Sequence, residues 1–158
     1  MSSQTELIER YQALQGQEIH VGPWLEIDQQ RIDDFARVTG DEQWIHVDPQ
    51  RAEKESPYGT TIAHGFLTLS LLPYLTQSHH PEFFTDNYTG IRQRVNYGLN
   101  KHRYPAPVLC GSKISARTSV QSVEEVRDGV QIVYLLTIEI EGEKKPACVA
   151  EQVMRVYP

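Results

Sequence analysis

The sequence predicts an α+β fold, an antiparallel sheet curled around one central buried helix. Two observations carry that expectation. Residues 66–75, FLTLSLLPYL, are apolar nearly all round, and a helix without a polar face is normally buried on most sides. Four runs of strand length or longer follow, at 87–102, 108–123, 130–141 and 147–156, each with frequent β-branched residues. A buried helix followed by consecutive long strands suits an α+β domain rather than a βαβ alternation. With 158 residues, residues 1–158 are expected to form a single domain with a proper core.

The elements follow in chain order. Leu7, Ile8, Tyr11 and Leu14 recur at helical spacing, which predicts a first helix over 5–14. Gly16 and Gly22-Pro23 then punctuate the chain, and residues 23–27 are long enough for at most a short strand. Asp28 is a good N-cap for a second helix running through Thr39. Its apolar face is Ile32, Phe35 and Ala36, and Gly40 is the expected left-handed terminator. Asp41 and His46 are then expected on a tight loop. Pro73 should bend or shorten the last turn of the apolar helix. In the third of the four runs, 130–141, Ile132, Tyr134, Leu136, Ile138 and Ile140 alternate with Val133, Leu135, Thr137 and Glu139, which predicts one well-buried face. Asp128-Gly129 and Gly142 mark hairpin turns.

Composition excludes several classes. Apolar residues make up 39% and charged residues 23%, which fits a globular protein and not a disordered one. No apolar run is long enough to span a bilayer, and MSSQTELIERYQ lacks the basic-then-apolar order of a secretory leader, so a cytoplasmic setting without membrane association is expected. The only cysteines, Cys110 and Cys148, form no CxxC pair and read as packed side chains rather than a zinc site or disulfide. A net charge of −6 disfavours nucleic acid. Residues 87–123 nevertheless hold six bases and no acid: Arg92, Arg94, Lys101, Arg103, Lys113 and Arg117. Such a segment can attract a phosphorylated small ligand, or it can be a solvated face paired with acids elsewhere.

The residues suited to chemistry sit in two short stretches. Asp41 and His46 offer a carboxylate beside an imidazole, the parts of a general acid–base pair. Taken alone, such a pair more often marks a turn, because Asp is a common turn residue. His64-Gly65 opens the apolar helix. A glycine there leaves its N–H uncovered and lets a ligand approach closely, and a helix start favours developing negative charge. Tight packing of the helix start is the plainer reading of that pair. His79-His80 reads as a surface connection before Pro81, and exposure is the plainer reading of His102.

Together these residues resemble the MaoC-like dehydratases, the R-specific enoyl-CoA hydratases or hydratase 2 group, which have a hot dog fold. The family motif runs aromatic, apolar, small, Gly-Asp-x-Asn-Pro-apolar-His, then Ala or Ser after five residues. Phe35, Val38, Thr39, Gly40, Asp41, Ile45, His46 and Ala52 stand at matching positions, and the later His-Gly helix start matches His64-Gly65. Asn96-Tyr97-Gly98, the run RYPAPV at 103–108 and Gly111 resemble the family's central strand pattern. The likeness covers roughly residues 20–157 by motif order.

The resemblance implies that Asp41 and His46 are the catalytic pair and that the Gly65 N–H polarises a thioester carbonyl. The implied reaction is reversible hydration of a trans-2-enoyl thioester to the R-3-hydroxyacyl thioester, with no metal or redox cofactor. It further implies a homodimer acting on an acyl-CoA-like substrate. The residues expected to meet substrate are Gln43, Trp44, His64 and, for the phosphates, Arg94, Lys101 and Arg103. Gln43-Trp44 departs from the family's Asn-Pro, and TGDEQWIHVD at 39–48 is similar to the nodulation protein N branch. A hot dog thioesterase and a noncatalytic acyl-thioester-binding subunit are the alternatives.

Overall fold

The computed structural model describes residues 3–83 and 89–158. Twelve named elements lie among them. Helix α1 (Gln4–Gln12) leads into strands β1 (Glu18–Val21) and β2 (Leu25–Glu26), then helices α2 (Gln29–Thr39), α3 (Trp44–Val47) and α4 (Pro49–Glu55). The central helical segment is α5 (Gly65–Ser70) and α6 (Leu72–Leu75). Strands β3 (Gln93–Arg103), β4 (Lys113–Val126), β5 (Gly129–Ile140) and β6 (Cys148–Tyr157) complete the fold. Of the expected 87–102 strand, the first two residues lie outside the described residues, and the observed strand begins at Gln93.

Local chemistry explains most boundaries. The Asp28 carboxylate accepts from the Arg31 N–H at 2.9 Å and starts α2. Gly40 ends it in the left-handed region at φ 81°, its N–H donating to the Ala36 carbonyl. Asp48 caps α4 by accepting from the Arg51 N–H, and Pro49 fills the first turn, where its missing N–H costs nothing. Pro73 has the larger effect. Lacking an N–H, it divides the apolar segment at Leu71 into two short helices.

The sheet is antiparallel throughout, in the order β1-β4-β5-β6-β3, with β2 also pairing β4. Asp128, at φ 60°, turns β4 into β5. Strand β5 lies at the centre and behaves as its alternation predicts. Ile132, Leu136 and Ile138 are essentially inaccessible, whereas Thr137 and Glu139 are partly exposed. Against that face pack Leu67, Leu71, Leu72 and Leu75 from the central segment, with Leu7 and Tyr11 of α1 and Ile32 of α2 in the same cluster. A sheet wrapped on one central helical segment is the hot dog architecture.

The apolar segment turns Leu67, Leu71, Leu72 and Leu75 into the core as expected and leaves Phe66 62% and Tyr74 42% exposed. The sheet reaches only one side of it. His46 does not sit on a loop but in the single turn α3, and α4 follows directly. Periodicity is hard to read in segments of four and seven residues, so neither short helix was foreseen.

Candidate active site

Main-chain pairing holds the site at one end of the sheet. The extended segment Thr61–Ala63 lies between α3 and the chain before β4. Ile62 donates to the Ile45 carbonyl at 3.1 Å, Ala63 to the Val108 carbonyl at 2.8 Å, and Cys110 to the Thr61 carbonyl at 2.9 Å. This ladder brings α3, with His46, against the residues that open α5. Gln29 of α2 adds a brace. Its amide donates to the His46 carbonyl at 2.7 Å and to Asp33 Oδ1 at 2.8 Å, and its oxygen accepts from the buried Thr61 hydroxyl. Neither Gln29 nor Thr61 is foreseen from the sequence, because a polar brace between distant segments leaves no spacing signal.

Asp41, His46 and His64 converge here, each offering a ligand-type atom within 4.8 Å of the others. His46 is 6% and His64 3% exposed, whereas solvent reaches Asp41. His46 Nδ1–H donates to the Ile62 carbonyl at 2.7 Å, which leaves Nε2 as the bare nitrogen. Burial depresses the His46 pKa most strongly. The Ile62 hydrogen bond opposes that, His64 adds to the depression, and Asp41 opposes it. His46 is therefore a neutral imidazole with an available lone pair near neutral pH. Gln43 donates its amide to Asp41 Oδ1 at 3.2 Å and so orients the carboxylate.

The His64 ring stacks on His46 with centroids 3.8 Å apart and 25° between planes. Its Nε2–H donates to the Asp41 main-chain carbonyl at 2.9 Å, and the Phe35 ring packs against the His64 ring, tilted, with centroids 5.0 Å apart. Two stacked imidazoles direct their in-plane lone pairs side by side, whereas a cation needs them to converge on one point. The cluster is therefore better arranged for moving protons than for holding a metal.

Gly65 is the first residue of α5, so its N–H has no acceptor within the helix. The Tyr104 ring packs where a side chain would begin, its Cε2 2.9 Å from an ideal Cβ on Gly65. Tyr104 is a further site residue that the sequence did not suggest. With Phe66 and His102 it forms an aromatic cluster beside the helix start; His102 is half-buried there rather than exposed. Because α5 has only six residues, the hydrogen-bonding N–H matters more at this point than any helix dipole.

The other expected contacts divide. Trp44 is half-buried at the start of α3, with the Arg51 guanidinium 4.4 Å from its ring centroid. Arg103 adjoins Tyr104 and is exposed, donating to its neighbour's carbonyl at 2.8 Å. Lys101 is paired with Glu151 at 3.1 Å. Arg94 lies nine residues earlier on β3, and nine residues of strand separate it from Arg103 by about 30 Å. It lines a separate cavity of about 580 Å³ with Arg10, Tyr11, His20, Thr118 and Leu136, among others, and no member of the acid–base cluster. The three expected phosphate contacts thus do not form one patch. Lys113 and Arg117 are also paired, Arg117 with both Glu18 and Glu139, so acids elsewhere neutralise much of the basic segment. Both cysteines are free thiols, and burial pushes Cys148 up to about 11, as for an inert packed side chain. Among the described residues no helix is long and apolar enough to cross a membrane.

Fold and cluster together define a hot dog protein in which Asp41, His46 and His64 converge beside the start of α5. The MaoC like domain model matches residues 10–141, and the chain belongs to the MaoC-like dehydratases, enzymes of the hydratase and dehydratase type. It is 46% identical over 144 residues to 3-hydroxyacyl-thioester dehydratase Z of Mycobacterium tuberculosis, covering 90% of this chain and 91% of that protein. It is 43% identical over 139 residues to nodulation protein N of Rhizobium meliloti, covering 87% and 83%. The (R)-hydratase from A. caviae involved in PHA biosynthesis shares the fold, with a TM-score of 0.63 at 20% identity over 90% of this chain and all of that one.

Proposed function

We propose that the protein catalyses the reversible addition of water to a trans-2-enoyl thioester, giving the R-3-hydroxyacyl thioester. The observation that carries this reading is the convergence of the Asp41 carboxylate with His46, whose Nε2 is left bare by the Nδ1–H bond to Ile62. A water held between the two is deprotonated as its oxygen bonds to Cβ. The π electrons move toward the thioester, and the enolate-like oxygen accepts from the Gly65 N–H. The proton taken from water is returned by the same pair to Cα on the same face, so the addition is proton-neutral overall. Dehydration is the reverse. Gln43 acts in this scheme by orienting Asp41, and Trp44 and Tyr104 stand at the entrance for the acyl thioester.

We also propose a cytoplasmic homodimer, with residues 1–158 as one domain. Supporting this are the outer edge of β3, which pairs with no other strand among the described residues, and the exposed Tyr97, Leu99, Phe66 and Tyr104 near it. Of the basic residues, Arg103 is the one best placed to meet a CoA phosphate. The name of the M. tuberculosis relative supports the 3-hydroxyacyl thioester as substrate class.

The test follows hydration of trans-2-enoyl-CoAs of several chain lengths by loss of the conjugated thioester absorbance, with chiral analysis of product. Turnover to the R product that is lost in Asp41→Asn is the expected result. Folded protein that binds these thioesters without turning any over would defeat it, and release of free CoA would instead indicate a thioesterase.

A further inference from the structure

We propose that His64 is a positioning residue for this reaction rather than a contact for substrate: it ties the Asp41 main chain to the His46 ring. The inference rests on the hydratase reading above. Three observations meet in this one side chain. Its Nε2–H donates to the Asp41 carbonyl at 2.9 Å, which anchors the short segment between α2 and α3. Its ring covers one face of His46 at 3.8 Å, so the general base cannot tilt toward that side. It is 3% exposed, which leaves almost no surface for a substrate to touch.

The chain geometry explains why such a clamp is needed. Asp41 follows directly on the left-handed Gly40, and among the described residues its carboxylate is held by Gln43 alone, an exposed side chain at 3.2 Å. His46, by contrast, is fixed through Ile62 and, at its own carbonyl, through Gln29. Without the His64 bond, the acid would be anchored far less well than the base it works with. A displacement of 1 Å between reacting groups costs about 10²-fold in rate.

The ring also acts electrostatically. The titratable groups facing His46 are Asp41, from the segment before α3, and His64, at the start of α5. Any charge on His64 discourages a second charge on His46 at stacking distance, whereas Asp41 favours it. Replacing His64 with a neutral side chain therefore removes one of the influences that keep His46 free as a base.

Two variants separate these effects. His64→Gln keeps an amide N–H able to reach the Asp41 carbonyl but removes the ionisable ring, and His64→Leu removes both. With trans-2-enoyl-CoA as probe, His64→Leu should lose roughly 10²-fold in kcat with little change in KM. His64→Gln should recover most of that loss, while the acid limb of its kcat/KM profile moves to higher pH. If His64→Leu fails to fold, the shifted limb of His64→Gln still decides the matter. Wild-type kcat and pH profile in folded His64→Gln, or a rise in KM with kcat unchanged, would overturn the proposal. Asp41→Asn and His46→Gln run alongside: full activity in those two would instead sink the acid–base reading itself.

Discussion

His46→Gln is the most direct probe of the acid–base reading. The imidazole contributes a bare Nε2 of depressed basicity, fixed by the 2.7 Å bond from Nδ1–H to the Ile62 carbonyl. Glutamine is close in volume, and its amide can still donate to that carbonyl, so the buried acceptor keeps a partner and the fold should survive. It has no basic nitrogen. The loss is then that of a positioned base, about 10²–10⁴-fold, or about 2.7–5.4 kcal/mol in the barrier at 1.36 kcal/mol per decade. The assay is kcat/KM for hydration from pH 5 to 9. In wild type the acid limb should lie below the ordinary histidine value of about 6.5, because burial opposes charging His46. A folded His46→Gln protein retaining more than about a tenth of wild-type kcat/KM would refute the argument, as would a wild-type limb well above 6.5.

Three further outcomes follow from the same geometry. The depressed His46 pKa also bears on stability: as pH falls below about 6.5 the unfolded chain binds a proton that the folded site resists. Stability should therefore fall over that window, reaching its full loss below the folded pKa, and urea unfolding at pH 7.5 and 5.5 checks the sign. Thr61→Val removes the hydroxyl that donates to Gln29 while keeping the volume of a fully buried residue. It should cost about 1–3 kcal/mol, a fall in Tm of roughly 2–4 °C for each kcal/mol, with kcat reduced because the brace on the His46 carbonyl loosens. Arg103→Ala should raise KM for a CoA thioester more than Arg94→Ala does, and the Arg103 effect should shrink with added salt; equal effects would show that both arginines act at a distance.

Much of the fold was legible in local pattern. The Asp28 cap, the Gly40 stop and the β5 alternation each depend on residues within a few positions of one another, where φ/ψ preference and side-chain period act directly. Asp41, His46 and Gly65 were legible as candidates because the family motif is compact in sequence. The basic segment left two readings open, a phosphate contact or a solvated face paired with acids, for the opposite reason. Counting charge along β3 and β4 takes no account of the acids on neighbouring strands, and Glu151, Glu139 and Glu18 are what Lys101 and Arg117 meet.

The sequence by itself determined the class of the fold, the helix and strand periods, and which residues have the chemistry for proton transfer. Only the tertiary structure decided how they are arranged. It buried the His64 ring and stacked it on His46, and it placed Arg94 in a cavity that Asp41, His46 and His64 do not line. It also enlisted Gln29, Thr61 and Tyr104, from three segments far apart in the chain. The physical reason is one of range. Backbone propensity and capping act over a few residues, whereas hydrogen bonds and ring contacts depend on distances that exist only after the sheet has closed on its helix.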